Sequence, residues 1–135
     1  MYRNILVPIS FDPDRDVTAP TKLAGLLATD NAEITFLHVI EQVPSYAISY
    51  MPAEFVAESR KAVEAEIEAL AKNVRDAKGI VVSGHSARSI LDYAEEHGND
   101  LIIIASHRPG MQDLLLGSTA SQVVRHASCA VHVIR

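Results

Sequence analysis

The chain has a single cysteine, Cys129, so no internal disulfide can form. That suits a reducing compartment rather than an oxidising one. No apolar run approaches the roughly 20 residues that a membrane helix needs. The opening stretch, Met1 to Ser10, is too short in its apolar part and too quickly polar to read as a signal peptide. Positive charge is not in excess either. Lys plus Arg is 12 against 17 Asp plus Glu, a formal net charge of −5, and the basic residues are scattered. A general nucleic-acid binder would gather them into a stripe. Low-complexity segments and internal repeats are lacking. The expectation is a soluble cytoplasmic protein, with no nucleic-acid partner and no membrane insertion. It should form one domain over residues 1–135, long enough to bury roughly two-thirds of its unfolded surface.

Well-known ligand motifs are also missing. No Lys follows the glycine of the one candidate phosphate loop, so it is not a Walker A loop, and no G-x-G-x-x-G occurs. The six histidines show no H-x-x-x-H spacing, and there is no C-x-x-C. His38 and His132 fall within predicted strands and read as packed or hydrogen-bonded core residues. His97 and His126 lie near helix C-termini, where partial positive charge is favourable. Cys129 has no activating partner in the pattern, so it reads as a packing residue. Metal binding is not expected, apart from a loosely held Mg²⁺ for which Asp12 and Asp14 are candidates.

What the chain does have is a regular alternation. Strands are expected over Asn4–Ser10, Glu33–Ile40, Gly79–Gly84, Leu101–Ile104 and Ala130–Ile134. Helices are expected from Thr18, a cap, to a close at Thr29-Asp30-Asn31; over Ala53–Asp76; from Ser86, a cap, to Gly98; and over Ser118–His126. In the first helix Leu23, Leu26 and Leu27 make the apolar face. In the second, Val63, Ile67, Leu70 and Val74 recur at helical spacing opposite a charged, solvated face. Several strands are apolar on both faces, as parallel strands are. The pattern implies an α/β fold, a five-stranded parallel sheet with helices on both faces. The flavodoxin-like order 3-2-1-4-5 is the expectation for it.

The stretch Asp100–Ala120 organises the rest. A buried strand ends at Ala105 and Ser106, a polar loop with Arg108, Pro109 and Gly110 follows, and Gly117-Ser118 opens a helix. Ligands of open α/β sheets bind beyond the strands' carboxyl ends, and a helix start suits phosphate. Gly117 lets an anion approach the backbone, and the Ser118 hydroxyl can cap the helix or bond the anion. A Gly-Ser pair equally serves as an ordinary helix start in loops that bind nothing.

The run IIIASHRP…LLLGSTASQVVRHASCAVHVIR resembles the C-terminal signature of the universal stress protein family. NILVPIS resembles its first strand, ITFLHVIE its second, and SARSILDYAEEHGNDLIIIASH its third helix and fourth strand. SHRP followed by LLGS is most similar to the small F- and G-type bacterial members. The resemblance implies an adenine-nucleotide-binding domain, of the adenine nucleotide α-hydrolase-like kind, that binds ATP with or without Mg²⁺. It implies a homodimer through the C-terminal strand, with a tetramer left open, and an unidentified protein partner. ATP-binding members carry G-x-x-G, a fixed spacer and then G-[ST]. Gly117 and Ser118 match the last two positions and would contact phosphate together with the Thr119 amide. Ala105 stands at the first glycine position and Arg108 at the second, with the spacer one residue short. Gly110 would restore flexibility, Arg108 would offer a charged fork, and His107 is the one histidine at this site. Pro8 and Ile9 would flank the adenosine, and the Val39 main chain would read the adenine edge. Ser10 stands where many members have an acidic residue facing the ribose, and Asp12 lies close by in sequence. The function implied is a stress-response sensor or regulator. The alternatives are a weak ATPase or autophosphorylating enzyme, and a dimeric scaffold that binds no nucleotide.

Overall fold

In a computed structural model, residues 1–11, 17–41, 52–106 and 117–135 are described. The chain runs β1 (Tyr2–Pro8), α1 (Thr18–Leu27), β2 (Ala28–Ile40), α2 (Ala53–Lys72), β3 (Ala77–Ser83), α3 (Ser86–Glu96), β4 (Leu101–Ala105), α4 (Ser118–His126) and β5 (Ala130–Ile134). The five strands are parallel and lie in the order β3-β2-β1-β4-β5, as expected.

Apolar residues on both faces of the central strands build two cores. Ile5, Val7, Ile34, Phe36, Leu101 and Ile103 pack on one face with Ala24 of α1 and with Ile67 and Ala71 of α2. Leu6, Leu37, Ile102 and Ile104 pack on the other with Ala87, Ile90 and Ala94 of α3 and with Ala120 and Val123 of α4. Helices therefore cover both sides, as the backbone polarity of a parallel sheet demands.

Several boundaries differ from the sequence reading. Thr29-Asp30-Asn31 does not close α1 but belongs to β2, where Ala28 pairs with Tyr2 before a register shift. Leu26 is not on the core side of α1: it is 79 % exposed, and Pro20 and Ala24 are the buried residues. Thr18 is not a cap, because Val17 holds that position. Ser86 is not one either. His85 precedes α3 and its Nδ1 accepts from the Arg88 N–H, while the Ser86 hydroxyl donates to Glu41 at 2.7 Å. Helix α2 stops at Lys72, so β3 begins at Ala77 rather than Gly79. Gly79 lies inside β3 because α2 crosses it closely: a Cβ there would sit 2.8 Å from the Ile67 carbonyl oxygen.

Gly98 does end α3. It adopts φ +63°, the Gly98 N–H donates to Glu95 O and the Asn99 N–H donates to Ala94 O, a Schellman close. The next residue staples the sheet. The Asp100 carboxylate accepts from the Arg3 and Asn4 N–H groups at 2.9 and 3.0 Å, and the Asp100 N–H donates to Asn4 O at 2.9 Å.

Candidate functional site

A parallel sheet sends all its carboxyl ends to one side. There β1 ends at Pro8, opposite Leu37 of β2. Proline has no N–H, so the ladder continues one residue later, where the Ile9 N–H donates to Leu37 O at 2.8 Å. His38 Nδ1 donates to the Ile9 carbonyl at 2.8 Å; the carbonyl only accepts, so Nδ1 carries the hydrogen. The His38 ring packs on Phe11 with centroids 5.2 Å apart. The exit of β1 is thereby fixed against β2.

On the other side of β1, β4 ends at Ala105, which pairs with Ile134 of β5. Ser106 follows, buried to 2 % exposure. Its N–H donates to Ile134 O, and its carbonyl accepts from the Gly117 N–H. Gly117 is the N-cap of α4, with extended backbone and no side-chain cap bond. The first N–H groups of a helix have no intrahelical acceptor. This one starts at the carboxyl end of β4 with no side-chain bond at its cap among the described residues.

Of the sequence-predicted residues, Pro8, Ile9 and Ser10 lie at the end of β1, Val39 near the end of β2, Ala105 at the end of β4, and Gly117, Ser118 and Thr119 at the start of α4. All eight are on the carboxyl side of the sheet. Their faces differ. Ile9 is buried in the core under α1 and α2, so it offers main chain, and its carbonyl is taken by His38. Val39 packs toward α3 and α4. Ser118 is exposed and is the first helical residue, so its hydroxyl is not the cap. His107, Arg108 and Gly110, with Asp12 and Asp14, lie outside the described residues.

Two residues that position the site were not singled out for it by the sequence. Ser106 carries the start of α4, and its signal is a small residue directly after a buried strand. His38, which reads as a packed or hydrogen-bonded residue, is hydrogen-bonded to the Ile9 carbonyl and so braces the end of β1. His132 is not in the core: it is exposed on β5. Cys129 is partly buried against the α3–α4 core, and its thiol is pushed up from the ordinary value of 9.0. Burial is the main cause; a backbone hydrogen bond opposes it and the Asp100 charge adds to it. Among the described residues no cluster of His, Cys, Asp and Glu could hold a metal ion, and no helix is long and apolar enough to cross a membrane.

The family model described as the universal stress protein family matches residues 1–135. Universal stress protein A homolog 2 of Coxiella burnetii is 36 % identical over 99 % of this chain and 95 % of its own length. Universal stress protein G of Shigella flexneri is 28 % identical over the full length of both. Among solved structures, the hypothetical protein MJ0577 superposes with a TM-score of 0.82 at 26 % identity, covering 99 % of this chain and 96 % of its own. The universal stress protein from Archaeoglobus fulgidus in complex with dAMP shares the fold, with a TM-score of 0.63 at 16 % identity over 99 % and 98 % of the two chains. With that match from end to end, the chain belongs to the universal stress protein family.

Proposed function

We propose that the chain is one adenine-nucleotide-binding domain, residues 1–135, that acts as a cytoplasmic stress-response regulator. ATP, with Mg²⁺ on its phosphates, is the ligand. The observation that carries this reading is the start of α4. Gly117 brings no side chain to the cap, and the Thr119 amide and Ser118 hydroxyl stand beside it at the carboxyl end of β4. Main-chain N–H groups, a helix dipole and hydroxyls are a donor set suited to phosphate and indifferent to the base. The base side is the carboxyl ends of β1 and β2, where Pro8, Ser10 and the Val39 main chain lie. Arg108, His107 and Gly110 would complete the phosphate side. The Archaeoglobus fulgidus complex indicates that this architecture can hold an adenine nucleotide.

Nothing among the described residues pairs a general base with a metal-binding carboxylate set, so the reading is binding, with slow hydrolysis or autophosphorylation at most. Occupancy would act through assembly: a homodimer through β5, with a tetramer open, and an unidentified protein partner. The test is chromatography of the denatured extract of freshly purified protein, followed by calorimetric titration with ATP and Mg²⁺. Co-purified nucleotide, or a micromolar Kd (about −8 kcal/mol), supports the reading. Empty protein with no heat of binding overturns it. Ala105 and Arg108, in place of two glycines, would then mark a dimeric scaffold.

A further inference from the structure

Among the described residues the sheet has two edge strands, β3 and β5. An edge strand presents a row of main-chain donors and acceptors that another strand can take up. On β3 the outward row can be named. The Gly84 N–H donates to Ile40 O, so Gly84 faces β2. Direction alternates along a strand, so Val82 and Ile80 face β2 with it, while Ser83, Val81 and Gly79 turn their main chain outward.

Arg60 of α2 reaches across to this outward row. Its Nη2 donates to the Val81 carbonyl at 3.2 Å, and its Nη1 donates to Ser83 Oγ at 2.8 Å. Its Nε donates to Glu64 Oε1 at 3.0 Å, one helical turn along, which fixes the direction of the fork. Three contacts from one planar group leave the side chain little freedom. Lys78 adds a second exposed charge on the same strand. A strand added here would have to displace the guanidinium from Val81 and cover its charge.

The β5 edge differs. The Ser106 N–H donates to Ile134 O, so Ile134 and His132 face β4, while Val131 and Val133 turn outward. Among the described residues no side chain is bonded to the main chain of either valine, and β5 carries no Lys, Arg, Asp or Glu.

We propose that Arg60 closes the β3 edge to strand addition by a second copy; the inference takes the homodimer through β5 from the proposed function. This stands whether or not the chain binds nucleotide.

The test compares the full chain with Arg60→Met, which keeps a long apolar stem and removes the fork and the charge. Sedimentation velocity is measured over a concentration series, with amide hydrogen exchange read at Val81 and Ser83. The expected result is a closed species for the natural chain. The variant should form an open-ended series that grows with concentration, because a second edge linked to the first does not close on itself. Val81 and Ser83 amides should gain protection in step with that growth. An identical size distribution for both proteins overturns the proposal, as does growth without protection at Val81. A readout free of any variant is the natural chain itself: Val81 exchange that slows with concentration overturns the proposal, and exchange that stays constant supports it.

Discussion

Asp100 shows how much one side chain can hold. Its two carboxylate oxygens take the Arg3 and Asn4 N–H groups, where β1 has not yet met β4. Asp100→Ala would leave both donors without these acceptors. Hydrogen bonds to a charged group are worth more than neutral ones, so the loss should be about 2–3 kcal/mol in urea denaturation. Gly79→Ala tests the opposite failure, overfilling. Its Cβ would meet the main-chain oxygen of Ile67 at 2.8 Å, and a backbone atom cannot turn aside as a side chain can. Destabilisation of about 1–3 kcal/mol is expected in the same measurement. Cys129 gives a pH signature. Its folded-state pKa is raised, so the folded protein holds the thiol proton more tightly than the unfolded chain does. Stability is therefore intact below the ordinary value of 9.0 and falls as pH rises toward the folded-state value. Cys129→Ala should remove that part of the alkaline loss. Alkylation of the natural thiol should have its rate midpoint above that of a free cysteine. Agreement of the two midpoints would contradict the burial seen here.

At the scale of elements, α4 and β5 run over the residues expected of them, Ser118–His126 and Ala130–Ile134. Replacing Gly117 with Asp separates two consequences with opposite signs. An Asp at the N-cap accepts from the next amides and should raise stability by a few tenths of a kcal/mol. The same carboxylate occupies the place proposed for phosphate and should weaken ATP binding at least tenfold by calorimetry. A variant as stable as the parent that binds ATP equally well would remove phosphate from the start of α4. Strand β2 was less legible. Thr29, Asp30 and Asn31 are turn-forming residues, and in β2 they lie between the Tyr2–Ala28 and Asn4–Glu33 pairs, where the register shifts, a long-range feature that a local pattern does not contain. The helix starts misled for a related reason. Thr18, Ser86 and Ser118 have the right chemistry for caps, yet the chain geometry puts Val17, His85 and Gly117 there. The candidate site was legible at Gly117, whose backbone freedom is written in its residue type. It was not legible at Ser106 or His38, whose roles depend on main-chain partners far away in sequence.

For the molecule as a whole, the assembly proposed above can be tested at the outermost strand, β5. Removing Ala130–Arg135 would strip β4 of one neighbour and uncover Ile102, Ile103 and Ile104, which are at most 5 % exposed. The shortened chain should run as a monomer or aggregate on a sizing column. A clean dimer from it would place the interface elsewhere than β5. Ser106 and Gly117 join β4 to α4. Their main chains are bonded to each other across ten intervening positions, so the end of β4 is tied directly to the start of α4. Changes at those ten positions would leave both partners of that bond in place. Selection acting on those ten positions alone could retune what the protein recognises while the scaffold is inherited unaltered.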